Sequence, residues 1–147
     1  MDLISKITED MKIAMKSKDS LALNTIRMLR SEIKNAEIAK MDKLTEDEIV
    51  KVVQTAIKKR KEAAEQYKNA GREDLYKKEM AEAKVLEKYL PEQLEEEELK
   101  KIIADVINET KSDNFGIIMK TVMSKVGSKA EGKVVNKLVK EMLSGNN

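Results

Sequence analysis

Lys129, Lys133, Lys137 and Lys140 recur at i, i+4, i+8 and i+11 near the C-terminal end of the chain. On a helix turning 100° per residue they share an arc of about 80°. Val134, Val135, Leu138, Val139 and Met142 take the opposite side, and Asn136 lies at the edge of the lysine arc. Lys120 and Lys125 extend the positive region. A row of ammonium groups beside an amide donor can track phosphates. The plainer reading is a solvated outer face opposite a core stripe, which is common on small helical bundles. Lysine without arginine or stacking rings points to recognition of shape and charge rather than of base sequence.

Other chemistry is thinly supported. The chain has no histidine and no cysteine. It therefore lacks the side chain best suited to proton transfer near neutral pH, and the best thiol nucleophile. An amidase would need an activated serine in a glycine- and serine-rich loop with a lysine, and no such loop is present. The five glycines are isolated, so no phosphate-cradling loop is visible. Glu95 to Glu98 form the densest carboxylate cluster, but adjacent helical residues point in different directions. Their simpler role is to favour the positive end of a helix dipole. These residues predict no catalytic group, no cofactor and no metal.

Two further basic groups stand out. Arg27, Arg30 and Lys34 form a row beside an apolar stripe, for which pairing with neighbouring glutamates is the simplest expectation. Lys58, Lys59, Arg60 and Lys61 wind around a helix, and Arg60 falls within the stripe of Val53, Ala56, Ala64 and Tyr67. It should be partly buried and paired with a carboxylate, Glu32 or Glu37 being the candidates. Tyr67, Tyr76, Tyr89 and Phe115 are the only aromatic residues, too scattered for a single-strand stacking platform. Tyr89, close to Pro91, is expected to pack a junction between two helical parts, and the nine methionines are expected to fill cores.

These side chains must be carried by helices. A chain that is 38% charged and 3% aromatic, with five glycines and one proline, suits an all-α protein. It has no run of about 18 apolar residues, and no apolar signal core is apparent at its start. The absence of cysteine is compatible with a reducing compartment. The expectation is a cytoplasmic protein without a membrane segment. Net charge is +2 overall, but it is unevenly spread. Residues 1–90 carry 20 basic and 17 acidic side chains, residues 91–110 carry 2 and 7, and residues 111–147 carry 7 and 3.

Pro91 divides the pattern, because a proline interrupts helical hydrogen bonding and clashes with the preceding turn. Before it, apolar periodicity predicts helices over 3–17 and 20–41, the second capped by Asp19. A third opens at the Thr45–Glu48 capping box and ends at Gly71, and a fourth runs towards the proline. After it, a fifth helix carries Leu99, Ile103 and Val106, and a sixth is capped by Asp113 and ended by a left-handed Gly127. A second capping box, Ser128 to Glu131, opens the seventh. The reading is a multihelical fold with a four-helix N-terminal bundle, residues 1–90, and a three-helix C-terminal bundle, residues 95–147.

The segment Tyr89 to Leu94, the Leu99 helix, Phe115-Gly116-Ile117-Ile118-Met119 and Lys129-Ala130-Glu131-Gly132 with Asn136 resemble the GatB/YqeY family. Arg27-Met28-Leu29-Arg30-Ser31-Glu32-Ile33-Lys34-Asn35 is similar to the same family's second helix. The likeness spans nearly the whole chain and fits a stand-alone YqeY-like protein. The chain departs from the pattern at Glu95, Ile117, Ser124 and Ser128. The resemblance implies a four-helix bundle followed by a three-helix bundle. It also implies similarity to the tail of the GatB subunit of tRNA-dependent amidotransferases, a domain that helps engage tRNA. The resulting expectation is a non-catalytic accessory protein that binds tRNA or a tRNA-processing complex through Lys120, Lys125, Lys129, Lys133, Asn136, Lys137 and Lys140. The alternative is an adaptor that receives another protein in the groove between the bundles.

Overall fold

In the computed structural model of the chain, which describes residues 2–145, seven α-helices and one short 3₁₀ turn account for the regular structure. The helices are α1 (Leu3–Ser17), α2 (Ser20–Lys40), α3 (Glu46–Asn69), α4 (Glu73–Glu87), α5 (Glu96–Thr110), α6 (Phe115–Val126) and α7 (Gly132–Ser144). The fold is all-α, as the composition implied. The chain divides into two compact units, Met1–Leu90 and Pro91–Asn147.

Local chemistry accounts for most helix ends in the first unit. Asp2 Oδ1 accepts the Ser5 N–H at 2.8 Å, and Asp19 Oδ1 accepts the Ala22 N–H at 3.1 Å. Each satisfies a donor that the helix leaves open. The Thr45–Glu48 capping box forms at the start of α3. Lys40, and then the Thr45 N–H, stabilise the ionised Glu48 carboxyl and bring its pKa down to about 2. Gly71, at φ +74°, ends α3.

Three other helix ends place a residue with a side chain in the left-handed region: Lys18, Met41 and Lys111. Met41 is the starkest, at φ 64° and 90% exposed, so no burial offsets its strain. A left-handed non-glycine residue costs roughly 1–2 kcal/mol, and glycine's extra chain entropy returns about half of that. Met41→Gly is therefore expected to stabilise the first unit by about 0.5–1 kcal/mol. A urea midpoint equal to or below that of the parent would refute the strain argument.

The first core is built from Ile7 of α1, Ile26, Leu29 and Ile33 of α2, Ile49, Val53 and Ile57 of α3, and Ala83 and Leu86 of α4. Tyr89 belongs to this core as well, only 2% exposed. Its burial thus comes from the first unit's own helices. Its hydroxyl donates to Asp10 Oδ2 at 2.7 Å, and Lys6 and Lys88 stand 5.9 and 5.3 Å from the ring centre. Burial, and then the Asp10 carboxylate, push the phenol far above its ordinary range.

Arg60 is 6% exposed, as its place in the apolar stripe required, but its partner is Glu82 rather than Glu32 or Glu37. The reason is packing: α3 lies along α4 more extensively than along α2. Glu37 is used locally, accepting the Leu44 N–H at 3.1 Å. The Nε–Oε1 separation of Arg60 and Glu82 is 3.9 Å, close enough for charge attraction but too long for a hydrogen bond, and Nε has no hydrogen-bond partner. Nearby Glu79 has its carboxyl pKa raised, by burial first and then by the Glu82 charge.

The second core uses Leu99, Ile103 and Val106 of α5, Ile118, Val122 and Val126 of α6, and Val135, Leu138 and Val139 of α7. Each helix thus contributes one stripe at three- and four-residue spacing. Glu98 accepts the Glu95 N–H at 3.2 Å at the start of α5. Two ends differ from the sequence expectation. Asn114, not Asp113, caps α6, with its Oδ1 accepting the Ile117 N–H at 3.1 Å. The second capping box does not open α7, whose cap position falls at Glu131. Gly127 takes φ 54° and ψ −128°, the chain makes a 3₁₀ turn over Gly127–Lys129, and Ala130 is extended. The Lys129 carbonyl accepts the Leu94 N–H at 2.8 Å, and the Ser128 carbonyl accepts from Gln93 Nε2 at 3.0 Å. Residues 128–129 are tied across to the strand of chain before α5, so α7 begins only at Gly132.

Candidate nucleic-acid interface

The late start of α7 reshapes the lysine row. Lys129 sits in the 3₁₀ turn, exposed, ahead of the helix. On α7 itself Lys133, Lys137 and Lys140 remain in line. They span about 60° of arc and roughly 10 Å of axis. All three are exposed, while Val135, Leu138 and Val139 are buried on the other side. Asn136 is half-buried between the two faces, and Glu141 is exposed beside the row.

The candidate lysines differ in what already holds them. Lys125 donates to Glu109 at 3.0 Å, so part of its charge is met within the unit. Lys140 lies 5.7 Å from the centre of the Phe115 ring. This contact steadies the ammonium group without neutralising it, and it also occupies the only aromatic ring in the second unit. Among the described residues, Lys120, Lys133 and Lys137 have neither an ion pair nor a hydrogen bond to their ammonium groups. The acidic start of α5 does not engage them: Glu96 pairs with Lys100 of its own helix at 3.5 Å.

The start of α7 adds backbone donors. Its first amides have no carbonyl within the helix to receive them, and Glu131 at the cap position gives them no side-chain hydrogen bond. A Cβ on Gly132 would meet nothing within 4 Å. Glycine there leaves the amides open from outside, beside Lys133 and one turn from Lys137. Exposed amides and the positive end of the helix dipole favour an anion.

The other basic row does not take the expected glutamate partners: among the described residues neither Arg27, Arg30 nor Lys34 meets a carboxylate, and Arg30 Nη1 approaches Met11 Sδ at 3.1 Å. No group of three or more acidic side chains among the described residues is placed to hold a metal ion. No described helix is long and apolar enough to cross a membrane.

Several known proteins to which the chain is similar share one designation. It is 33% identical to "Altered inheritance of mitochondria protein 41, mitochondrial" of Pyrenophora tritici-repentis, over 96% of this chain and 81% of the relative. It is 35% identical to the protein of the same name from Kluyveromyces lactis, over 86% and 70% of the two chains. The Lachancea thermotolerans counterpart is 32% identical over 88% and 71%. Relatives named as mitochondrial overturn the expectation of a plainly cytoplasmic protein: absence of cysteine and of a membrane segment does not discriminate between reducing compartments. The model of the Yqey-like protein family matches residues 4–143, nearly the whole of both units, and with these relatives it shows that the chain belongs to the YqeY-like family.

Proposed function

We propose that the protein is a non-catalytic accessory factor that binds RNA through the outer face of α7, with tRNA the RNA that the amidotransferase-tail resemblance suggests. The observation that carries this reading is the exposed row Lys133, Lys137 and Lys140, continuous with Lys129 and with the open amides at Gly132. Ammonium groups spaced along some 10 Å suit consecutive phosphates of a nucleic-acid strand. With Phe115 held under Lys140 and no other ring in the unit, stacking on bases has little to work with. Binding is then governed by charge and shape. Lys120 adds to the field, and Lys125 contributes less because Glu109 shares it. The lack of histidine and cysteine supports a role in binding rather than turnover.

The test is fluorescence anisotropy of labelled bulk tRNA with the full chain at two salt concentrations. With four to six phosphates neutralised, affinity should fall roughly 10²–10³-fold between about 50 and 200 mM salt. A Lys129/Lys133/Lys137/Lys140→Glu variant should lose binding while keeping its thermal midpoint, because all four side chains are exposed. Equal affinity of variant and parent would remove α7 from the site. No binding by the parent at low salt would end the RNA reading and leave a protein partner as the alternative.

A further inference from the structure

The first unit contains a buried cation short of acceptors, and an oxidisable sulfur stands against it. Arg60 of α3 is 6% exposed, and its guanidinium carries five N–H donors. Nη1 donates to the Ala56 carbonyl at 3.0 Å, within its own helix. Among the described residues Nε has no hydrogen-bond partner, with the Glu82 carboxylate 3.9 Å away, and Nη2 has only Met28 Sδ, at 3.8 Å. A thioether is a weak acceptor, so the buried charge is poorly satisfied.

Met28 is also accessible. It is 50% exposed and lines a shallow depression of about 330 Å³ with Arg27, Ser31 and Glu32. The chain has no cysteine, so methionine is its only sulfur available for oxidation.

We propose that Met28 is a methionine-oxidation site whose sulfoxide is bound by Arg60, so that oxidation fastens α2 to α3 instead of loosening them. The oxidant is a hydroperoxide. The Met28 sulfur attacks its terminal oxygen, the O–O bond breaks as the S–O bond forms, and the departing oxygen takes the proton as water or an alcohol. Sulfur loses two electrons and the peroxide gains them. The product's oxygen is a strong acceptor where the thioether was a weak one. It fills the space left by a 3.8 Å sulfur–nitrogen separation and meets a donor that is already charged and desolvated. Oxidation of a methionine normally puts a polar group where an apolar one was packed. At Met28 the polar group faces a waiting guanidinium. Methionine sulfoxide reductases reverse the change.

The experiment treats the intact chain with hydrogen peroxide, maps oxygen addition by peptide mass spectrometry, and follows thermal unfolding of the first unit. Met15, also 50% exposed, serves as an internal standard. Met28→Leu removes both sulfur and acceptor, and Met28→Gln supplies a neutral acceptor of similar length. Expected results are oxygen on Met28 under conditions that convert Met15, and a peroxide-induced fall in midpoint smaller in the parent than in Met28→Leu by roughly 4 °C or more. Met28→Gln should likewise melt above Met28→Leu. The proposal is overturned if Met28 stays reduced when Met15 is fully converted. It is also overturned if the treated parent loses as much stability as treated Met28→Leu, or if Met28→Gln melts below Met28→Leu.

Discussion

Arg60→Ala is expected to lower the stability of the first unit by about 3–5 kcal/mol, a large part of what a domain of this size has. The loss does not measure a strong ion pair. Arg60 and Glu82 are separated by 3.9 Å without a hydrogen bond, and their side chains are only 7% and 11% exposed. Their attraction returns little more than the cost of removing both from water. Removing one partner, however, leaves Glu82 buried without its counter-charge and beside Glu79, whose carboxyl pKa is already raised by burial and by the Glu82 charge. The double change Arg60→Met with Glu82→Leu follows from the same reasoning. It should be far less harmful than Arg60→Ala alone, and within about 1 kcal/mol of the parent or above it, because apolar replacements of similar volume remove both desolvation costs together. Urea unfolding of the three proteins decides the matter. A single variant with an unchanged midpoint, or a double variant as weak as the single, would show that the pair is not electrostatically isolated.

The second large effect is at Tyr89. Tyr89→Ala should cost about 3–5 kcal/mol, the range for removing a buried aromatic side chain. The ring is 2% exposed, contacts the core that gathers α1 to α4, and closes it at the last turn before Pro91. Its hydroxyl adds a separable contribution. Tyr89→Phe keeps the ring and removes only the 2.7 Å bond to Asp10, which retains Lys88 at 3.3 Å. The expected cost is about 1.5 kcal/mol, that of a hydrogen bond to a charged group with a partner remaining. If Tyr89→Phe proved as damaging as Tyr89→Ala, the hydroxyl rather than ring packing would hold α1 in place. If both were neutral, the residue would not belong to the cooperative core.

Residues acting within one or two turns were legible without the fold. Asp19, the Thr45–Glu48 box and Gly71 end their helices as their types require, because capping satisfies backbone groups only a few positions away. The apolar stripes of α5, α6 and α7 were equally visible, since burial follows helical periodicity. Family membership was also readable from motifs along the chain. Compartment was not, because a charged, cysteine-free helical composition is shared by several reducing environments.

Tertiary structure alone decided where long side chains and free carbonyls found partners. The sequence by itself determined that Arg60 must be buried and paired, but only the packing of α3 along α4 selected Glu82 over Glu32 and Glu37. It determined that Tyr89 is a large side chain next to a break, but only the position of α1 supplied Asp10, 79 residues away. At the candidate interface it determined a four-lysine periodicity. The Leu94 N–H, by taking the Lys129 carbonyl, removed one lysine from the helix and left three in line above an open N-terminus. A helix completes its hydrogen bonds with near neighbours, so its pattern is written locally. A buried charge, a phenol or a turn carbonyl is completed by whatever the fold brings to it, and no spacing along the chain encodes that choice.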